Sequence, residues 1–145
     1  MDKDSLYQKL GQIIIHKLRD ENFAEYQGLK TMAQSVSKDA YFAQERNPNY
    51  APDLQQLDDE RFLFLNGLSP EQLVALDRLI LKVIDGEAFN FLREIEENLG
   101  ENQSLGLTIE GQAVEELEPE LHSGTLFGEY FLWAERFSRF GPYQH

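Results

Sequence analysis

The segment from Ser69 to Leu99 constrains the fold of this chain more than any other part of the sequence. Ser69 is placed to cap a helix, Pro70 suits the first helical position, and Gln72 completes a capping box. Apolar residues then recur at steps of three and four, which is the periodicity of an amphipathic helix. They are Leu73, Leu76, Ile80, Ile84, Ala88, Phe91, Ile95 and Leu99. The segment therefore predicts one long helix over residues 69–99.

Further apolar residues widen this stripe beyond one helical face. Among them are Val74, Leu79 and Val83. A helix that is apolar on most sides is expected to be covered by neighbours on most sides. We therefore predict an all-α fold, an irregular bundle of five or six helices around this central helix. The length of 145 residues fits a single globular domain over 1–145.

The other helices are predicted from the same periodicity. The spacing predicts a helix over Asp4–Asp20, and a looser pattern over Phe23–Ala40 that fits either one helix or two short ones. A proline- and asparagine-rich loop precedes Asp53, which is a plausible N-cap for the next helix. A last helix is expected over Ser123–Phe140.

Residues 105–109 break the helical pattern. Leu105, Leu107 and Ile109 alternate with Gly106 and Thr108, which is the period of a strand. The segment is either a short strand or an extended loop. We favour the loop because the sequence offers no obvious pairing strand.

The net charge of −13 lies entirely after residue 50. A surface of one negative sign repels phosphate backbones and anionic lipid, so nucleic acid and membranes are disfavoured as partners. The same surface attracts a basic protein, although it also fits a role in solubility alone. The acidic candidates for such an interface are Glu110, Glu115, Glu116, Glu118 and Glu120.

Catalytic constellations are missing from the sequence. The chain has no cysteine, no glycine-rich phosphate loop and no paired Glu-x-x-His elements for a di-iron site. His16 and Asp20 stand one helical turn apart, but such a pair is usually solvated. The sequence predicts no catalytic residue, no metal site and no cofactor. With no signal peptide or membrane span in the pattern, we expect a soluble, cytoplasmic protein.

The last predicted helix is rich in aromatic residues. Phe127, Tyr130, Ala134 and Phe137 share one face, which should pack on the long helix. Trp133 points elsewhere, as do Phe131 and Phe140. They are either covered by a neighbouring segment or exposed as a partner anchor. Trp133, Arg136 and Arg139 are therefore candidate partner-binding residues, since Trp and Arg often dominate binding energy.

Four segments carry a resemblance to a class of known proteins. They are Asn66–Leu73, Leu79–Gly86, Phe91–Glu97 and Gly128–Gly141. In these segments the chain resembles small all-helical bacterial proteins, some of which are similar to immunity proteins that neutralise polymorphic toxins. The resemblance implies a helical fold and a binding role, and it implies no catalytic residue.

Our leading hypothesis is a non-enzymatic protein-binding module with an acidic face. Its most concrete form is an immunity protein that neutralises a basic toxin such as a nuclease. Two alternatives remain open: a carboxylate-rich, metal-dependent hydrolase, and a homo-oligomeric scaffold held through Trp133 and its neighbours.

Overall fold

The computed structural model describes residues 2–99, 104–113 and 123–143, and the fold is all-α apart from one very small hairpin. Lys3 to Ser35 form one continuous helical segment, in which a π-helix separates two α-helices. The elements are α1 (Lys3–Ile14), the π-helix (Ile15–Asp20), α2 (Glu21–Ser35), α3 (Lys38–Ala43), α4 (Pro52–Asn66), α5 (Pro70–Asn98), β1 (Thr108–Ile109), β2 (Gln112–Ala113) and α6 (Leu126–Phe137).

The long central helix is confirmed as α5. Its capping box is formed in both directions: the backbone N–H of Gln72 donates to Ser69 Oγ (3.2 Å), and the backbone N–H of Ser69 donates to Gln72 Oε1 (2.8 Å). These bonds satisfy amide groups that a helix N-terminus otherwise leaves without partners. Local sequence is therefore enough to set where α5 begins.

The buried face of α5 is rotated by about one residue from the predicted stripe. The buried residues are Leu81, Asp85, Ala88 and Leu92, and the predicted stripe shares only Ala88 with them. Asp85 is drawn inward because its carboxylate bonds with buried side chains from other helices. A polar residue at the centre of the buried face is invisible to a pattern based on hydrophobicity.

The prediction that α5 is covered on most sides is wrong at several positions. Val74, Leu79, Val83 and Phe91 are each more than half exposed. Apolar character alone does not require burial, because much of any folded protein's surface is apolar.

Two other observed helix ends differ from the predicted boundaries. Asp53 is not the N-cap of α4: Ala51 occupies that position without a side-chain bond, and Pro52 is the first helical residue. The proline takes this place because its missing N–H would have had no helical partner there. The last helix ends at Phe137, short of the predicted Phe140.

Residues 105–113 contain a short antiparallel hairpin, so the preference for an unpaired loop is wrong. Thr108 pairs with Ala113 and Ile109 with Gln112. The two connecting residues, Glu110 and Gly111, both have positive φ, at 51° and 79°. This is the backbone of a tight hairpin turn. The pairing strand lies directly beyond the turn, in a segment with no strand-like alternation.

The described residues divide into two compact units, and the boundaries fall within α2 and α5. Unit 1 comprises Met1–Phe23 and Leu79–His145, and unit 2 comprises Ala24–Arg78. The prediction of a single domain stays a prediction. Within the described ranges, no helix has the length and apolar character needed to cross a bilayer.

Unit 1 has a core built around α6. Leu126, Tyr130, Trp133 and Ala134 are buried in a cluster with apolar residues of α1, α5 and β1. Trp133 packs directly against Gly11 of α1, where a β-carbon would lie 2.5 Å from three atoms of the indole. Gly11 therefore allows α1 and the largest side chain of the core to approach closely.

Candidate functional site

An apolar cleft of about 220 Å³ opens in unit 2 between α2, α3 and α4. On one wall the ring of Tyr41 stacks on Phe62, with centroids 3.8 Å apart and planes 6° from parallel. Ser37 caps α3 by accepting from the backbone N–H of Ala40 (3.1 Å), which fixes the helix that carries Tyr41. The cleft is lined by Leu29, Met32, Tyr41, Asp58, Arg61, Phe62 and Leu65.

A set of polar contacts holds the Tyr41 wall in place. The hydroxyl of Tyr41 donates to Asp59 Oδ1 (3.0 Å), and Arg46 donates to both carboxylate oxygens of Asp59 at 2.8 and 2.9 Å. The Arg46 guanidinium also lies 5.8 Å from the centroid of the Tyr41 ring. Burial, and then the hydrogen bond to Asp59, raise the pKa of Tyr41. The wall is therefore a preorganised surface whose hydroxyl stays neutral at physiological pH.

The surface of unit 2 exposes more large apolar side chains than its interior buries. The buried apolar residues are Ala33, Phe62 and Leu65. Two of the exposed residues, Leu29 and Met32, line the cleft, and exposed apolar side chains at a concave site are typical of protein-interaction sites. The exposed residues are Leu29, Met32, Phe42, Tyr50, Leu54, Leu57, Leu63, Phe64 and Val74.

Unit 1 contains a buried ionic network centred on Arg19, which is fully buried. Its Nε and Nη2 donate to the two oxygens of Asp85, at 2.7 and 3.3 Å. Nη1 donates to Ser138 Oγ (2.5 Å) and to the carbonyl of Gly141 (2.6 Å), and Nη2 also donates to the carbonyl of Pro142 (2.9 Å). All five donor positions of the guanidinium are thus used.

Two further side chains complete the network. The Tyr130 hydroxyl donates to Asp85 Oδ1 (2.6 Å), and burial followed by this carboxylate raises the pKa of Tyr130. Asp20 accepts from Ser138 Oγ (2.6 Å) and from the backbone N–H of Arg139 (3.1 Å). Because these charges are buried and bonded to protein groups, the network stabilises residues 138–142 and presents no reactive group to a substrate.

The expectation that His16 and Asp20 are both solvated holds for His16 alone. His16 is exposed, whereas Asp20 is buried and bonded to Ser138. Both lie in the π-helix, whose i to i+5 hydrogen bonds widen the turn and change the one-turn alignment of an α-helix. They do not form a ligand or acid–base pair.

Trp133 lies in the core, with 1% of its surface exposed, and offers no anchor to a partner. Its place in the core corrects the candidate assignment as a partner-binding residue. Phe131 and Phe140 are partly buried by neighbouring rings. Phe131 packs edge-on against Tyr143 (4.4 Å between centroids), and Phe140 against Phe23 (4.7 Å). The alternative of coverage by neighbouring segments holds for these three aromatic residues.

Three other candidate residues lie on the described surface of unit 1, and two of them, Glu110 and Arg136, bond to the consecutive residues Lys9 and Gln8 of α1. Glu110 is exposed at the hairpin turn and pairs with Lys9 of α1. Arg136 is exposed and donates to Gln8 Oε1 (2.9 Å). Arg139 is exposed, and its backbone N–H donates to Asp20. The other four acidic candidates, Glu115, Glu116, Glu118 and Glu120, lie outside the described residues.

Within residues 2–99, 104–113 and 123–143, no three His, Asp or Glu side chains come close enough together to hold a metal ion. Comparison with protein-family models, with curated proteins and with solved structures gives no match to this chain.

Sequence reasoning missed this cleft. Its walls come from the segment with the looser helical pattern and from α4, and neither contains a binding motif. One signal was present: Leu29 and Met32 are spaced three apart on α2, and Phe62 and Leu65 repeat that spacing on α4. Such spacing reveals an apolar face, but not that part of the face stays exposed.

Proposed function

We propose that this chain is a non-enzymatic, cytoplasmic protein-binding module whose partner is a basic protein. Its most concrete form is a bacterial immunity protein that neutralises a basic toxin such as a nuclease. The observation that carries the proposal is the apolar cleft of unit 2, in which the lining residues Leu29 and Met32 are exposed.

The cleft has the size and lining to accept one large apolar side chain from the partner. Full burial of a Leu or Phe side chain contributes about 1.5–3 kcal/mol, which makes a single such anchor a substantial part of a binding energy. The stacked Tyr41 and Phe62 rings are already in place. Because these rings are already ordered, little side-chain conformational entropy is lost when a partner binds, which favours affinity.

The net charge of −13 supports a basic partner. Opposite charge speeds the encounter of two proteins and makes their association sensitive to salt. In the immunity-protein form of the proposal, five carboxylates bind at the sites where the nuclease binds the phosphates of its substrate, and so block substrate access. They belong to Glu110, Glu115, Glu116, Glu118 and Glu120.

The Arg19 network supports a non-enzymatic role. Catalytic groups must reach a substrate, and they usually have perturbed pKa values in an accessible cleft. The buried carboxylates Asp20 and Asp85 bond instead with protein donors, and both lie away from solvent.

The experiment that tests the proposal compares two matched charge insertions. Met32→Glu places a carboxylate in the cleft, and Val83→Glu places one at an exposed apolar position of α5. Each variant and the wild type would capture proteins from a lysate of the source organism at low and high salt. The captured protein would then be purified and titrated.

We expect a basic protein that binds wild type and Val83→Glu with similar affinity, binds Met32→Glu at least tenfold more weakly, and is released by salt. Equal binding to all three proteins would show that the cleft is not the site. Salt-insensitive binding would contradict the electrostatic part of the proposal. Recovery of only a second copy of this chain would favour the homo-oligomeric scaffold.

The acidic segment is tested separately by replacing Glu115, Glu116 and Glu118 with glutamine. Three fewer charges should weaken binding at low salt and reduce its dependence on salt concentration. If affinity and salt dependence both stay at wild-type values, this segment has no part in recognition.

A further inference from the structure

Helix α4 carries a second apolar feature on a different face from its buried residues. Leu54, Leu57 and Phe64 are 49%, 45% and 57% exposed. With Arg61 they follow steps of three, four and three along the helix. We call these four residues the α4 stripe. Arg61 also lines the cleft, so the stripe and the cleft are continuous.

The spacing of the stripe is that of a coiled-coil seam. Leu54 and Arg61 occupy the a positions, and Leu57 and Phe64 the d positions, over two heptads. The residues that α4 buries, Phe62 and Leu65, fall at b and e. Because an e position borders the seam, the face that α4 packs on the core of unit 2 lies beside the face that carries the seam.

Arg61 fits this seam despite its charge. Its Nη1 donates to Asp58 Oδ1 (3.2 Å), which directs the guanidinium to the flank. The aliphatic stem can then contribute to the apolar surface, as long cationic side chains commonly do.

The flanks of the stripe are acidic. Asp53 and Glu60 occupy the g positions, whereas Asp58 at e is bonded to Arg61 and to the Tyr50 hydroxyl, so the uncompensated charge lies on the g flank. Arg61 is the only basic residue between Pro52 and Asn66, against four acidic ones. Facing e and g residues decide which helices pair.

This charge pattern argues against a second copy of α4 as the occupant. In a parallel pair, Asp53 would face Asp58 of the other copy. In an antiparallel pair, Asp53 would face Glu60. Like charges oppose each other in the antiparallel arrangement, and in the parallel one Asp53 faces an Asp58 that is already paired with Arg61 of its own chain. Lysine or arginine facing Asp53 and Glu60 would make the more favourable pairs.

We infer that α4 is the docking helix for an amphipathic helix of the partner, with apolar residues along its seam and Lys or Arg on its flanks. The inference rests on the proposed function and names the recognition element of the same basic partner. Seam burial supplies affinity, and the flanking charges select a basic helix over an acidic one.

The test uses three synthetic peptides of equal length and the full chain. The first has Leu at a and d and Lys at e and g. The second replaces every Lys by Glu. The third has the composition of the first in an order that leaves no apolar face. Binding would be followed by fluorescence anisotropy of the labelled peptide and by amide chemical shifts of α4.

We expect the first peptide to bind at least tenfold more tightly than either of the others, with shifts along α4. The double variant Leu57→Ser, Phe64→Ser should reduce its affinity at least tenfold, and the exposed-site control Leu79→Ser, Val83→Ser should not. Asp53→Lys with Glu60→Lys should reverse the preference towards the acidic peptide. The control variant Glu87→Lys with Glu135→Lys changes the net charge by the same amount and should keep the preference for the basic peptide. Circular dichroism would establish that each variant is folded.

Equal binding of all three peptides, or binding that survives loss of Leu57 and Phe64, would overturn the inference. A dimer of the chain disrupted by Leu57→Ser would also overturn it, because a second copy would then occupy the stripe. If a captured basic protein depends on Met32 but not on Leu57 and Phe64, the inference fails while the proposed function stands. If no basic protein is captured, the proposed function itself fails.

Discussion

Replacing Gly11 by alanine should leave the protein no more stable or destabilise it, although the same change normally stabilises a helix. Gly11 is an interior residue of α1, and alanine is favoured over glycine there by about 1 kcal/mol. The new β-carbon, however, would lie 2.5 Å from Cδ1, Cδ2 and Cε2 of Trp133. Ordinary carbon contacts are about 3.5–4.0 Å, so the indole must move.

The indole has little room to move, because Trp133 is buried among apolar residues of unit 1. Overpacking a core of this kind costs about 1–3 kcal/mol. That cost matches or exceeds the gain in helix propensity. Gly28 and Gly86 provide matched controls: both are interior to helices, and an added β-carbon there meets nothing within 4 Å.

The assay is thermal unfolding of the wild type and the three Gly→Ala variants, followed by circular dichroism at 222 nm. We expect Gly28→Ala and Gly86→Ala to be stabilised by about 1 kcal/mol. The free energy of unfolding of Gly11→Ala should lie below that of both controls by the overpacking cost of about 1–3 kcal/mol. Each kcal/mol corresponds to about 2–4 °C in Tm. If Gly11→Ala raised Tm as much as the controls, the packing of Trp133 on α1 would be refuted.

Two further predictions concern the Arg19 network. Arg19→Met should lower the free energy of unfolding by about 3–5 kcal/mol in urea titration, because it leaves Asp85 buried without its cation. Arg19→Lys should recover little of this loss, since an ammonium group cannot make the five hydrogen bonds of the guanidinium. Full recovery of stability in Arg19→Lys would contradict the role of the guanidinium geometry. The raised pKa of Tyr130 predicts that stability is lost as pH rises above the ordinary tyrosine value of 10.0, because the unfolded chain releases the phenolic proton before the folded chain does. Tyr130→Phe should make the decline of unfolding free energy between pH 9 and 11 shallower, and an unchanged slope would refute this linkage.

Local sequence was sufficient for the features that depend on neighbouring residues. The start of α5 follows from Ser69, Pro70 and Gln72, whose bonds form within one turn. The periodicity of the helices likewise follows from local spacing. Hence the all-α class and the long helix were predictable.

Features that depend on distant residues were not predictable. The buried face of α5 is shifted because Asp85 bonds with Arg19 and Tyr130, which are far away in the chain. The location of Trp133 could not be predicted because the space for its indole depends on Gly11, which lies on another helix. A hydrophobicity pattern contains neither kind of information.

The sequence by itself determined the helical class, the principal capping box and an acidic balance, since these need only local spacing and composition. The tertiary structure decided which polar residues are buried and which apolar residues stay exposed. Burial depends on which helix faces lie against one another, and that is a property of the assembled chain. The cleft of unit 2 and the α4 stripe belong to this second kind, so they emerged only once α2, α3 and α4 were placed.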